Sequence, residues 1–379
     1  MLGGNGVLSK EKCLSLIGWI GLPGGGGWGW MRRMNVCVTG GAGFIGSHLA
    51  EALCRQGAHV TVLDDLSSGS EANLTWKLPG DGLSLEWMAG SVCDPDAVRR
   101  AITGCDWVFH LAAVASVPRS VKDPVGTNRI NLDGTLTCLE AAKQLGVKRF
   151  VFASSSAIYG DDADAEEDDA AAKAGLSNCK TEDLPPRPLT PYALQKYAGE
   201  SYARQFFQLY KLPTVSLRFF NVFGPRQSHD SPYSGVIAKF ATEMLAGRAP
   251  TIFGDGLQSR DFVFVKNVVE ANLLAAQRPV EVVAGGVYNV GCGTSITLLQ
   301  LVEDINRLTG QRLEPSFAPA REGDVRLSQS DIGAARRSLG YEPKVSWVEG
   351  LRETLDFYVS GNVMGKGKGN ENATGAGLG

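Results

Sequence analysis

The chain has 379 residues, of which 44% are hydrophobic and 20% charged, with a formal net charge of −3 at pH 7. That length accommodates one large α/β unit or two domains, and the lack of a basic excess argues against nucleic acid or an anionic membrane as a partner. Eight scattered cysteines with no C-x-x-C pair, and only four histidines, argue against a metal site and fit buried thiols in a reducing, cytoplasmic compartment.

Residues 1–33 differ in character from the rest of the chain. "CLSLIGWIGLPGGGGWGW" joins a short apolar run to a glycine-tryptophan tract. The run is too short to span a bilayer and no small-x-small cleavage site comes after it, so the segment is expected to be a disordered extension. From Met34 strand and helix patterns alternate. "MNVCVTG" is a strand ending in glycine, "FIGSHLAEALCRQG" a helix, and "HVTVLDD" and "DWVFHLA" are strands. "LDGTLTCLEAAKQLG" is a helix, "KRFVFASS" a strand, "PYALQKYAGESYARQFFQLY" a long helix and "PTVSLRFF" a strand. Nearly continuous apolar strands between helices predict a doubly wound parallel sheet of the Rossmann type. The acidic stretch 161–180 cannot bury a face and is expected to be a surface loop. From about Val222 helices mix with short strands, as in "IFGDG", "DFVFV" and "VYNVG". The expected division is a nucleotide-binding domain at 34–221, a mainly substrate-binding α/β region at 222–360 and a glycine-rich disordered tail at 361–379.

"TGGAGFIG" places Gly40, Gly43 and Gly46 between a strand and a helix. Glycines there let a pyrophosphate approach the backbone, and the helix N-terminus favours its charge. Phe44 and Ile45 belong to the same loop. Asp64 closes the next strand, where a carboxylate accepts from a ribose 2′-hydroxyl and repels a 2′-phosphate. No arginine follows it, so NAD is expected rather than NADP. Tyr192 and Lys196 share a helix face by their spacing. "ASSSAIYG" ends a strand of the same sheet, so its serines are expected at the crevice where ligands of open parallel sheets bind. A phenol with an ordinary pKa of about 10 is a poor base at neutral pH. A lysine ammonium and a cationic nicotinamide both favour the phenolate, and a base so tuned suits oxidation of a secondary alcohol. His110, after an apolar strand, is expected to pack near the cofactor rather than titrate.

These motifs, with "HLAA" and "RFFNVFGPRQ", stand in the order seen in extended short-chain dehydrogenases/reductases, and the chain resembles the NAD-dependent epimerase/dehydratase family from about Met34 to Tyr358. The resemblance implies Tyr192 as base, Lys196 as its activator and ribose ligand, and Ser155 as the hydroxyl partner. It implies Val92, Leu111, Ala112 and Ala113 along the cofactor, with Asn131 as a structural and proton-relay residue. Ser91 departs from the pattern, since relatives often carry an aspartate there for the adenine amine.

The resemblance further implies a UDP-sugar substrate and, by habit of the family, a homodimer built on the helices near Asp133 and Tyr192. By matching, Arg260 and Arg321 would bind the diphosphate, Asp324 the nucleotide ribose, and Asn221 the sugar nucleotide. Dehydratases carry an acid pair after the serine or threonine and decarboxylases a glutamate, where this chain has Ser156 and Ala157. The missing acid points to 4-epimerisation. Ser116, Ser156, Gly235, Val236 and a small residue at the gate, Ser328, resemble UDP-N-acetylglucosamine/UDP-glucose 4-epimerases. The alternatives are a UDP-glucuronate 4-epimerase or decarboxylase, another nucleotide-sugar epimerase/dehydratase, and a non-catalytic NAD-binding regulator.

Overall fold

The computed structural model describes residues 34–76, 84–160, 179–228, 235–320 and 326–360. Seven strands form the main sheet: β1 (Asn35–Thr39), β2 (His59–Asp64), β3 (Ser84–Ala89), β4 (Trp107–His110), β5 (Arg149–Ser155), β6 (Thr214–Phe219) and β7 (Gly286–Val290). All pair in parallel, in the spatial order β7-β6-β5-β4-β1-β2-β3. The main helices are α1 (Phe44–Arg55), α2 (Pro95–Ile102), α3 (Gly134–Gln144), α4 (Pro191–Tyr210), α5 (Val236–Leu245), α6 (Val265–Gln277), α7 (Leu298–Thr309) and α8 (Trp347–Val359). None among the described residues is long and apolar enough to cross a membrane.

Alternation along the strands builds two cores. Val36, Val38, Phe109 and Val151 face Leu49 and Leu53 of α1 and Val268 of α6. Their neighbours Cys37, Val108, Phe150 and Phe152 face Ile102 of α2, Leu139 of α3 and Phe206 of α4. Both faces are thus covered, which is why the strands lack a polar side and read as apolar runs. A third core, with Phe223, Phe240, Phe262, Leu301 and Leu351, lies among α5, α7 and α8.

The strand β7 comes from beyond residue 222, yet it completes the main sheet beside β6. Arg149 at the start of β5 ties the same late segment down, donating to the carbonyls of Ala275 at 2.9 Å and Arg278 at 2.8 Å where α6 ends. A smaller sheet orders the strands Ile296–Thr297, Ser259–Arg260, Leu327–Ser330 and Cys179–Lys180. The predicted acidic surface loop therefore stops short of its expected end. Residues 161–178 lie outside the described residues, but Cys179 and Lys180 pair with Gln329 and Ser330, and the Lys180 side chain is buried. Backbone pairing, invisible to a composition argument, draws them inward.

The sheet order reverses between β1 and β4, so the loops leaving these strands diverge and leave a crevice at their C-terminal ends. The glycine loop, the end of β5 and the start of α4 all meet there.

Candidate active site

The crevice opens into a cleft of about 740 Å³. One end is walled by Gly40, Gly43, Phe44, Ile45 and Gly46, with Asp64 and Val92 beside them and Leu111, Ala112 and Ala113 opposite. The floor carries Ser155, Ser156, Tyr192 and Lys196. The far end carries Ser116, Asn221, Gly235, Val236, Arg260 and Ser328. The structure thus brings these expected positions to one cavity. Arg321 and Asp324 lie outside the described residues.

The glycine loop is shaped by contact. Gly40 has φ of 70°, and a Cβ there would stand 2.7 Å from the Ala112 nitrogen. A Cβ on Gly46 would stand 2.1 Å from the Gly40 carbonyl oxygen. Both positions demand glycine for the fold. Gly43 differs: the one neighbour its Cβ would meet is the Gly40 oxygen at 3.1 Å. It caps α1 without a side-chain bond and lines the cleft. Its missing side chain leaves room for a ligand at the helix N-terminus, where backbone N–H groups favour an anion. Asp64 closes this end. Its carboxylate accepts from the Ala42 N–H at 2.9 Å and the Leu66 N–H at 2.8 Å. Burial raises its pKa, and those two N–H groups oppose the rise. A cradle cleared of side chains next to a held carboxylate fits the pyrophosphate and ribose of a dinucleotide. Ser91 does not extend this end of the cleft; its hydroxyl accepts from the Cys93 N–H at 3.3 Å, closing its own turn.

The catalytic helix starts where its cap dictates. Thr190 accepts from the Ala193 N–H at 3.3 Å and Pro191 occupies the first turn. Tyr192 therefore sits at the positive end of α4, which favours a phenolate. Its own N–H donates to the Ser120 hydroxyl at 3.1 Å. Lys196 is buried, with Nζ donating to the Ala153 carbonyl at 2.7 Å and lying 5.1 Å from the Phe152 ring centroid. Burial pushes the Lys196 ammonium down to about 8. Tyr192 departs from expectation. Burial raises its pKa, while a hydrogen bond with the Ser155 side chain pulls it back. Lys196 does not enter this balance, its ammonium being turned to the Ala153 carbonyl.

Asn131 stands behind the cleft rather than in it. Its Oδ1 accepts from the Val114 N–H at 2.7 Å, and Nδ2 donates to the Val114 carbonyl at 3.2 Å and to Gln195 Oε1 at 2.8 Å. Both donors and the acceptor oxygen are spent holding the loop after β4 against α4, so the side chain acts structurally. It lies in a π-helical turn, Arg129–Asp133, just before α3. His110 packs, as expected. The Thr135 hydroxyl donates to the Asn131 carbonyl at 2.7 Å, so His110 Nε2–H donates to Thr135 Oγ1 at 2.9 Å and Nδ1 accepts from Thr39 at 2.7 Å. Burial, with Lys196 nearby, pushes this imidazole down to about 3.

At the far end Arg260 and Ser328 are register partners on adjacent short strands. Asp261 fixes them. It is buried and accepts from the N–H groups of Cys292 at 2.8 Å, Gly293 at 3.0 Å and Ser330 at 3.1 Å. Sequence reasoning passed over Asp261, and over Arg226, whose guanidinium pairs with Glu51 at the cleft wall. It also passed over Glu200, although the 192, 196, 200 spacing puts all three on one helix face. That face is buried, which a charged residue conceals in sequence.

Comparison with known proteins agrees with this geometry. A family model described as the NAD dependent epimerase/dehydratase family matches residues 36–291. The UDP-glucose 4-epimerase of Mycolicibacterium smegmatis is 38% identical over 334 residues, spanning 86% of this chain and 98% of that protein. The crystal structure of UDP-glucose 4-epimerase from Thermotoga maritima with UDP-glucose is 39% identical, with a TM-score of 0.76 over 86% of this chain and 99% of that one. The UDP-N-acetylglucosamine 4-epimerase of Methanobrevibacter ruminantium, in complex with UDP-N-acetylmuramic acid, is 38% identical with a TM-score of 0.76, covering 86% and 98%. Fold, cleft and likeness together make the chain a member of the NAD-dependent epimerase/dehydratase family.

Proposed function

We propose that the chain is a UDP-sugar 4-epimerase that interconverts UDP-N-acetylglucosamine with UDP-N-acetylgalactosamine and also accepts UDP-glucose and UDP-galactose. The observation that carries this reading is the meeting of Ser155, Tyr192 and Lys196 at the floor of the glycine-loop cleft, with Ser156 and Ala157 following where a further acid would stand. The glycine loop and Asp64 would hold NAD, which would supply reversible hydride chemistry at the sugar C4. Tyr192 removes the proton of the sugar 4-hydroxyl, Ser155 holds that oxygen, and Lys196 favours the phenolate and orients the ribose. The same tyrosine returns the proton after the 4-keto sugar has turned its other face, so no second acid is needed.

Ser156, Gly235 and Ser328 keep the sugar end small-walled, which leaves room for an acetamido group at C2. Arg260 presents a guanidinium to a diphosphate. A homodimer is part of the proposal. Val121, Val125, Leu194 and Leu209 are exposed on α4 and on the short helices Val117–Lys122 and Pro124–Asn128 beside it, an apolar surface of the kind that a second copy covers.

Purified protein should release NAD on denaturation, sediment as a dimer, and interconvert UDP-GlcNAc with UDP-GalNAc by NMR. Tyr192→Phe should cut turnover by about 10²–10⁴-fold. Ser328→Tyr should suppress turnover of the acetylated sugar more than that of UDP-glucose. Carbon dioxide or a 6-deoxy product would replace this reading with decarboxylation or dehydration. Selective turnover of UDP-glucuronate would point to that epimerase. NAD binding with no turnover of any UDP-sugar would point to a regulator.

A further inference from the structure

Ser155 and Ser328 wall one cleft but belong to different sheets. Ser155 ends β5, whereas Ser328 lies in the strand Leu327–Ser330 of the smaller sheet. Something must hold the separation between them. The turn after Ser155, Ser156–Tyr159, ends on a buried tyrosine whose hydroxyl donates to Asn289 Oδ1 at 2.7 Å. Asn289 is fully buried on β7. Its Nδ2 donates to the Lys180 carbonyl at 2.8 Å and the Asp331 carbonyl at 3.0 Å. Lys180 ends one strand of the small sheet, and Asp331 follows the strand that carries Ser328. The Asn289 backbone N–H donates to Glu182 at 2.7 Å, just beyond Lys180.

From the other side Arg218 of β6 stacks on the Tyr159 ring, its guanidinium carbon 4.8 Å from the centroid. The same guanidinium forks onto Glu200 at 2.7 and 3.0 Å. Glu200 lies one turn beyond Lys196 on α4 and accepts from the Ser154 hydroxyl at 2.8 Å. The route from the helix of Tyr192 and Lys196 to the strand of Ser328 is therefore unbroken, and it is buried up to its half-buried end at Asp331.

We propose that Tyr159 and Asn289 are a positioning pair that sets the sugar-side strand against the catalytic turn. Residue chemistry singles out asparagine at 289. An amide offers two N–H donors for two buried carbonyls and one oxygen for a phenol. An aspartate would set a lone pair against each carbonyl, and a leucine would leave both unpaired, which is costly in the interior. Asn289 stands behind the cleft wall, and Tyr159, which is part of that wall, spends its hydroxyl on Asn289, so the hydrogen bond between them acts through the geometry of Ser155 and Ser328. Its kinetic consequence rests on the UDP-sugar reading.

Tyr159→Phe tests this with the ring and its stacking retained. KM for the UDP-sugar should rise about tenfold, the size expected for one lost buried hydrogen bond. The kcat should stay within about threefold and NAD content should match wild type. Hydrogen exchange should quicken at residues 179–182 and 327–331. Asn289→Asp should raise KM further. An unchanged KM with only a lower melting temperature would make the pair merely structural and overturn the proposal, as would an Asn289→Asp protein that behaves as wild type. If wild type turns over no UDP-sugar, the functional reading fails and exchange alone decides. Quickening confined to 179–182 and 327–331 upholds the positioning role, and unchanged or uniform exchange ends it.

Discussion

Lys196 carries a buried charge whose nearest acceptor is the Ala153 carbonyl, and burial lowers its pKa from the usual 10.5 to about 8. A depressed lysine binds fewer protons folded than unfolded between those values, so this residue adds stability as pH rises from about 8 to 10.5 and costs stability below. Lys196→Met should therefore leave the melting temperature at pH 7 no lower than wild type, while turnover falls by about 10²–10⁴-fold. The gain between about pH 8 and 10.5 should be absent from the variant's stability curve and so stand out in the difference between the two. A melting point several degrees down would mean that the hydrogen bond outweighs the buried charge. The Tyr192 and Lys196 pairing was legible from spacing alone, because i,i+4 neighbours share a helix face. The tuning of Tyr192 was not. Its pKa depends on how deeply α4 sinks against β5, which no local pattern encodes. Asn131 shows the same limit: the family resemblance implied a structural and proton-relay residue, but only the fold shows its side chain bonded to Val114 and Gln195.

The strand-loop-helix from β1 to α1 separates two uses of glycine. Gly46→Ala would drive a Cβ to 2.1 Å from a backbone oxygen, so this variant should be destabilised by at least about 1–3 kcal/mol, measured by urea unfolding. Gly43→Ala meets the same oxygen at 3.1 Å, a tight contact that a shift of a few tenths of an ångström relieves. It should fold with nearly wild-type stability yet retain at least about tenfold less NAD, read by absorbance after denaturation. Equal NAD content in wild type and Gly43→Ala would remove the loop from the cofactor site. The loop itself was readable because turn, close approach and helix entry all demand glycine at short range. The demand on Gly40 was not, because Ala112 approaches it from the loop after β4, more than sixty residues along the chain, and the contrast between Gly43 and Gly46 is set by how the folded loop turns each towards the Gly40 oxygen.

Among the described residues two imidazoles are held neutral, His110 fully buried and His48 half-buried, and that should govern the response to acid. His110 lies in the core between Thr39 and Thr135, and His48 of α1 donates to the Pro225 carbonyl at 2.9 Å. Burial pushes each imidazole down to about 3, with Arg226 adding to the effect at His48. The unfolded chain takes up these protons near 6.5, so stability should fall as pH drops from about 6.5 towards 3. His48→Gln keeps a side-chain N–H for Pro225 and loses the titration, so the urea midpoint should decline less steeply with acid. An unchanged slope would assign the acid response elsewhere. The parallel architecture was determined by sequence, since strands covered on both faces are apolar along their whole length and helices between them repeat every three to four residues. The cofactor loop and the tyrosine-lysine pair were likewise local, each confined to a few consecutive residues. Tertiary structure alone decided that β7 returns from the second half of the chain to close the sheet. It alone drew Cys179 and Lys180 into a strand, and it alone set Ser155 and Ser328 across one cleft through Tyr159 and Asn289. Those arrangements rest on hydrogen bonds between residues tens to more than a hundred positions apart, and such partners leave no period in the sequence.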